Sequence, residues 1–279
     1  MNLDLQSIKK ILPRRPVDSN KGSFGKVLVV AGSAEFPGAA ALVCESAYRA
    51  GAGLVTLAAG RDVCAFAAAK LTELVYIHLL EENLEKRAGD FDAVAIGPGL
   101  GQKSEAQKLV KDILAFGNLP KSVIDADALN ILATIDLWWE KFHFQGVLTP
   151  HPKEMSRLTG LSVEDIQANR EQSAAKFSKL WDKVLVLKGA NTVIASPSGE
   201  VRVSPFANPL LATAGTGDVL AGVIAAFAAQ GLDLFSAACA GVFAHGQAGD
   251  LLKETFGQSG MLATDLLNIL PDAINKIRS

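Results

Sequence analysis

Six apolar runs, rich in Val, Ile and Leu, punctuate the first two thirds of the chain. They are Lys26 to Ala31 (KVLVVA), Leu54 to Ala59 (LVTLAA), Phe91 to Gly97 (FDAVAIG), Ser122 to Asp127 (SVIDAD), Gly146 to Pro150 (GVLTP) and Lys183 to Gly189 (KVLVLKG). Short apolar runs that end in Gly, Pro or Asp read as strands buried on both faces. Between them, small and apolar residues recur at helical spacing, as in PGAAALVCESAYRAGAG, Lys103 to Phe116 and Val163 to Leu180. Strands alternating with helices predict βαβ units and a largely parallel sheet covered on both faces. Ligands in such sheets bind beyond the carboxyl ends of the strands.

After Gly189 the period changes. TVIAS and EVRVS flank PSG, which predicts a hairpin with a Pro/Gly turn. Three helical stretches follow, at about Gly217 to Gln230, Leu234 to Glu254 and Leu262 to Arg278. At the other end, MNLDLQSIKKILPRRP spaces Leu and Ile as in a short amphipathic helix and lacks the apolar core of a signal peptide, so export is not expected. The longest apolar run, Val219 to Ala229, falls short of the roughly 20 residues that span a bilayer and reads as a core helix. No repeat, low-complexity tract or linker divides the chain, so a single domain over residues 1–279 is expected.

Composition narrows the partners. With 49% hydrophobic residues, 20% charged residues and a formal net charge of −2, the chain can bury a large core and has no electrostatic pull toward nucleic acid or an anionic membrane. Any anion must be held locally. Cys44, Cys64 and Cys239 are too few and too scattered for a disulfide framework or a zinc site, and read as buried reduced thiols of a cytoplasmic protein.

Five stretches carry candidate chemistry. AGTGD, Ala214 to Asp218, sets glycines at a helix N-terminus, where unpaired N–H groups and the helix dipole favour an anion. Asp218 beside such a site suits a general base for a hydroxyl attacking a phosphoryl group; the plainer role is a first-turn acid satisfying the dipole. LKGANT places Lys188 at a strand end before a turn, where it serves a nucleotide or stays solvated. GPGLG, Gly97 to Gly101, allows a sharp turn or close approach of a substrate. LTPHPKE presents His151 from a loop stiffened by Pro150 and Pro152. DADALN sets Asp125 and Asp127 at a strand end, where capping the next helix is favoured over contact with Mg²⁺ waters. Neither GxGxxG nor a P-loop is present.

In this order, KGSFGKVLVVAGS, PGAAAL, GPGLG, DADALN, LTPHPKE, LKGANT and AGTGDVLAG resemble the ADP/ATP-dependent NAD(P)H-hydrate dehydratases of the ribokinase-like superfamily, from about Lys21 to Pro271. The resemblance implies a three-layer α/β/α sandwich around a largely parallel sheet. It implies nucleotide-dependent dehydration of the S epimer of hydrated NADH and NADPH, releasing phosphate with AMP from ADP or ADP from ATP, as metabolite repair. By the same resemblance the hydrate contacts fall on Ala39 or Ala40, Gly99, Gly101, His151 and Asp218. The nucleotide contacts fall on Lys188, Gly189, Ala190, Asn191, Thr192 and Gly217, and the anion hole on Gly215, Thr216 and Gly217. Asp218 is the catalytic base of that reading. Mg²⁺ is expected because phosphoryl transfer draws on its charge, with no residue assigned as a direct ligand. A homo-oligomer, a tetramer, is implied as well.

Ala214 departs from the glycine usual before GTGD, which would strain the anion site if that position needs positive φ. Relatives also occur fused to an N-terminal epimerase domain, for which 279 residues leave no room. The rival enzyme is a vitamin or sugar kinase of the hydroxymethylpyrimidine or thiazole type, against which LTPHPKE and GPGLG weigh. A regulator that binds nucleotide without turnover is the other rival, and Asp218 with His151 argues against it.

Overall fold

The computed structural model describes residues 2–79 and 83–279. Nine strands, β1 (Lys26–Val30), β2 (Leu54–Ala59), β3 (Val75–His78), β4 (Ala93–Ile96), β5 (Lys121–Ile124), β6 (Gly146–Leu148), β7 (Val184–Leu187), β8 (Val193–Ala195) and β9 (Val201–Val203), form one sheet. Their order is β3-β2-β1-β4-β5-β6-β7-β8-β9. Every pairing from β3 to β7 is parallel, and β7, β8 and β9 close the sheet as an antiparallel meander.

Alternation along the strands builds the layers. On β1, Val27 and Val29 join a core with the helices Pro37–Arg49, Thr216–Ala229, Leu234–Phe256 and Ala263–Arg278. Leu28 and Val30 point the other way, into a second core with Ser104–Leu114, Asp127–Leu132, Pro152–Thr159 and Arg170–Trp181. The expected three-layer architecture is therefore present. Each fully buried Val, Leu or Ile contributes on the order of 1.5–3 kcal/mol, so two full cores make the sheet a rigid mount.

Helix Thr216–Ala229 is buried without interruption from Val219 onward. Its neighbour Pro37–Arg49 comes so close that a Cβ on Gly222 would lie 2.0 Å from Ser46 Oγ and 2.3 Å from the Val43 carbonyl oxygen. Glycine there sets the spacing of two helices whose first turns both end at the same rim of the sheet. The apolar run read as a core helix is one, and no helix among the described residues is long and apolar enough to cross a membrane.

Three local readings change. The run Val163 to Leu180 is two helices, Val163–Ala168 and Arg170–Trp181, because Asn169 (φ −133°, ψ 46°) breaks the chain out of helical geometry. Strand β3 was not visible as a strand signal; it is short and lies at the sheet edge, with Val75 41% exposed. A helix, Pro152–Thr159, begins directly after His151, where the sequence suggested only a stiff loop. The N-terminal helix is present as Leu5–Ile11, and ahead of it Leu3 donates its N–H to the Val203 carbonyl at 2.9 Å, laying the N-terminus along β9.

Sheet order also locates the crevice. The chain steps from β1 outward to β2 and β3, then returns to β4 on the opposite side of β1. Connections diverge at that switch point and leave a cleft above the strand ends. The segments leaving β1 and β4 there contain Phe36 to Ala40 and Gly97 to Gly101.

Candidate active site

Two glycines shape the turn that leaves β4. Gly97 (φ 126°) lies so close to the next strand that a Cβ would sit 1.9 Å from the Asp125 carbonyl oxygen. Gly99 (φ 66°) likewise has Ala39 Cβ and Phe36 Cβ at 2.7 and 2.9 Å from its absent Cβ. GPGLG thus makes its sharp turn packed tightly against neighbouring protein atoms. Of the two alanines, Ala39 flanks Gly99, whereas Ala40 is fully buried behind Gly32.

Asp125 does not cap a helix. Its carboxylate, 1% exposed as a residue, accepts from Lys188 Nζ at 2.7 Å and from Thr149 Oγ1 at 2.7 Å. The favoured capping role fails because Ala126, not an aspartate, is the N-cap of Asp127–Leu132, with φ 50° and ψ −118°. Asp127 instead accepts the Gly101 N–H at 2.9 Å. An L-residue held in that sparsely populated region costs of order 1–3 kcal/mol, and here it turns two neighbouring carboxylates in different directions.

Lys188 is no solvated strand-end lysine: its side chain is 17% exposed, and Glu154 Oε2 lies 3.9 Å from Nζ. Burial alone would lower its ammonium, but the Asp125 and Glu154 carboxylates outweigh it and hold the group above the usual lysine range. A fixed positive charge results. A Cβ built on Gly217 would come 3.4 Å from Lys188 Nζ, so this charge stands against the first turn of helix Thr216–Ala229.

That first turn is left open. The N-cap is Gly215 (φ 89°), which offers no side chain to the N–H groups of Gly217 and Asp218. Thr216 spends its hydroxyl on the Leu211 and Thr213 carbonyls, both at 2.8 Å, and His245 Nε2–H donates to the Thr216 carbonyl at 2.9 Å. The turn is therefore pinned from behind while its amides face the cleft. Ala214 is not among the residues with positive φ; Gly215 carries that conformation, so the methyl group strains nothing.

Asp218, half-buried at the third helical position, has its carboxyl pushed up to about 7, first by burial and then by the charge of Asp125, with Lys188 pulling the other way. A base in that range accepts a hydroxyl proton far better than an exposed aspartate does.

His151 is tied differently. As N-cap of Pro152–Thr159, its Nδ1 accepts from the Lys153 and Glu154 N–H groups at 3.1 and 3.2 Å. Burial and the nearby Lys188 charge lower the imidazole to about 4, so it is neutral near pH 7 with its proton on Nε2. Nε2 lies 3.3 Å from Glu154 Oε1, and Glu154 Oε2 accepts the His151 backbone N–H at 2.8 Å. The ring is thus a donor and not a base. Burial pushes Glu154 itself up to about 7.

Beside these charges opens a cavity of about 690 Å³. Lys188, Gly189, Thr192 and Gly217 line its polar side, and Phe206, Leu211, Leu220 and Val242 its apolar side. A polar mouth of this kind over an apolar slot suits a phosphate chain with a planar base behind it. All the expected nucleotide residues from Lys188 to Thr192 lie on one turn, which carries Asn191 at φ 52°.

Sequence reasoning missed Glu154, Thr149, His245 and Phe206 as parts of the site. Glu154 had a signal: it stands three residues after the N-cap, the spacing of a capping box. The others become site residues only through tertiary contact.

Residues 27–272 match a family model described as NAD(P)H-hydrate dehydratase. The chain is 44% identical over 277 residues to a bifunctional NAD(P)H-hydrate repair enzyme of Moorella thermoacetica, with 95% of this chain matched but only 52% of that relative. It thus spans about half the length of the bifunctional relatives it matches. It is 39% identical over 262 residues to the ADP-dependent (S)-NAD(P)H-hydrate dehydratase of Neisseria meningitidis, covering 92% of this chain and 87% of that one. Among solved structures, the ADP/ATP-dependent NAD(P)H-hydrate dehydratase of Bacillus subtilis, co-crystallised with ATP and Mg²⁺, superposes with a TM-score of 0.88 at 32% identity, covering 99% and 98% of the two chains. On these matches, together with the shared fold and the glycine-rich cleft, the chain belongs to the NAD(P)H-hydrate dehydratase family.

Proposed function

We propose that this chain restores NADH and NADPH from their hydrates, S epimer, by moving a nucleotide's terminal phosphoryl group onto the ring hydroxyl. The observation that carries the reading is Asp218: a carboxylate raised to about 7, on an uncapped helix N-terminus, beside a fixed ammonium at Lys188. Asp218 takes the hydroxyl proton as oxygen attacks the terminal phosphorus, and the donor leaves as AMP from ADP or ADP from ATP. The Gly217 and Asp218 amides and Lys188 oppose the charge on the transferred phosphoryl. The ring nitrogen's lone pair then breaks the C–O bond, phosphate departs, and loss of a proton from the adjacent carbon restores the double bond. Without the phosphoryl group the ring hydroxyl would leave as hydroxide, a far poorer leaving group.

The cleft divides between two substrates. Gly99, Gly101 and Ala39 stand on the β1/β4 side and take the hydrate, with His151, beyond the end of β6 on the wall of the cavity, offering its Nε2–H as a hydrogen-bond donor. The turn Lys188 to Thr192 and Gly217 take the nucleotide. Mg²⁺ fits as an ion carried on the nucleotide's phosphates: among the described residues no three His, Cys, Asp or Glu side chains converge to cage a metal, while Asp127 and Asp218 supply hard oxygen donors for its waters. When bound, it neutralises charge on the phosphoryl group. The same family reading makes the whole chain one dehydratase domain, cytoplasmic and homotetrameric; light scattering on the purified protein tests the last point.

The direct test follows the absorbance of reduced nicotinamide after the enzyme meets prepared NADH hydrate and Mg²⁺, in parallel with ADP, with ATP and with no nucleotide. Recovery only with a nucleotide supports the reading and names the donor. No recovery in any arm overturns it in favour of a small-molecule kinase that uses the same Asp218.

A further inference from the structure

Behind the nucleotide turn, on the face of the sheet opposite the 690 Å³ cavity, sits an arginine that the reaction itself does not employ. Arg170 is the first residue of helix Arg170–Trp181. Its Nη2 donates to the Leu187 carbonyl at 2.8 Å and the Lys188 carbonyl at 3.3 Å, and Nη1 donates to Gln167 Oε1 at 2.6 Å. No described carboxylate forms an ion pair with it, and its Nε is buried without a partner. Arg170 is half-buried, and its guanidinium meets these carbonyls instead of a carboxylate.

The two carbonyls are the last of β7 and the first of the turn. Gly189 follows at φ 142°, and a Cβ there would lie 3.2 Å from both Arg170 Nη atoms. The front of the turn is held by Asn191, whose N–H and Nδ2 donate to the Phe206 and Ser204 carbonyls, each at 3.0 Å. A separate cavity of about 390 Å³ opens beside the turn, lined by Arg170 and Gln167 together with Ala190 and Asn191. On that side the guanidinium supplies the polar tie.

We propose that Arg170 is a positioning residue for nucleotide binding: by clamping the Leu187 and Lys188 carbonyls it fixes the turn Lys188 to Thr192 against the phosphate mouth of the cleft. The inference rests on the proposed nucleotide role of that turn. Lys188 reaches Asp125 from the same backbone, so the clamp sets where the ammonium stands as well as how the amides of Gly189 to Thr192 point.

The test is steady-state kinetics of Arg170→Met and Arg170→Lys with ATP and NADH hydrate, beside Thr192→Val in the turn and Phe177→Ala on the same helix as a packing control. Arg170→Met should raise the KM for ATP by roughly tenfold, the cost of one charge-assisted hydrogen bond, with the hydrate KM within about twofold. Arg170→Lys should fall between, because the shorter side chain keeps a cationic donor for the carbonyls but lacks the second nitrogen that holds Gln167 Oε1. Phe177→Ala should lower the melting temperature without a split between the two KM values. If Thr192→Val raises the ATP KM and Arg170→Met does not, the positioning role is overturned while the nucleotide turn stands. If neither variant moves it, the nucleotide assignment fails with it. A fall in Arg170→Met that tracks melting temperature and affects both substrates as Phe177→Ala does reduces Arg170 to a structural residue and overturns the proposal.

Discussion

Two helix N-termini face the cleft, and they are finished in opposite ways. Helix Pro152–Thr159 is sealed: the His151 ring and the Glu154 carboxylate exchange hydrogen bonds with each other's backbone, so its first amides are spent inside the protein. Helix Thr216–Ala229 is left open behind a glycine with no capping side chain, although the open end costs stability. The sealed end holds side chains still, whereas the open end presents backbone donors to a ligand. Where a helix terminus leaves its cap off while its rear is pinned by Thr216 and His245, a bound anion is the natural partner.

The sharpest way to break that contrast is to remove the base from the open end. Asp218→Asn should lower kcat by about a thousandfold, within the range for loss of a general base, with nucleotide affinity retained by titration calorimetry. Turnover near wild type would remove Asp218 from the chemistry. Next is the cap position itself. Gly215→Ala puts a Cβ into a left-handed backbone 2.7 Å from Leu42 Cδ1, so the turn must shift. A loss of about a hundredfold in kcat/KM is expected, comparable to removing one oxyanion donor, with the folded content checked by circular dichroism.

At the sealed end the effects are smaller and separable. His151→Asn keeps a good N-cap but loses the Nε2–H, so the hydrate KM should rise about tenfold at nearly unchanged melting temperature. His151→Ala should show the same rise plus a drop of ~2–4 °C for each kcal/mol of lost capping. Equal melting losses in both variants would mean that asparagine does not replace the cap.

The smallest effect concerns pH. Asp218 is raised from 3.8 to about 7, so the folded state holds its proton more tightly than the unfolded chain does. Its carboxyl therefore favours folding fully below pH 3.8, and that benefit is lost as pH rises through about 7. Melting curves should show Asp218→Asn matching wild type near pH 4 and exceeding it by a few degrees at pH 8. Activity should rise over the same interval as the base loses its proton.

Much of this was legible beforehand. The six β-branched runs, the hairpin and the closing helices follow from period and turn residues, because strands buried on both faces have a simple signature. AGTGD announced its helix start. What escaped were features without a local signal. Strand β3 is four residues at an edge, and the break at Asn169 interrupts an otherwise helical pattern. DADALN misled because Asp and Asn are good caps on average, whereas here Lys188, more than sixty residues later, claims Asp125. The ion pair of Lys188 with Asp125 was hidden for the same reason: pairing of buried charges is a property of the folded sheet. The helix that His151 caps is short and begins with a proline, so the ring's tautomer is read only from the backbone donors around it.

The bond from Leu3 to Val203 has a consequence for handling the protein. Strand β9 is the far edge of the sheet and is only three residues long, Val201 to Val203, with Arg202 at its centre. Short length and a central charge blunt an edge, and the N-terminal segment covers what remains. Trimming or displacing Asn2 and Leu3 would release the Val203 carbonyl at that edge, so a tag placed upstream has to leave those two residues extended along the sheet.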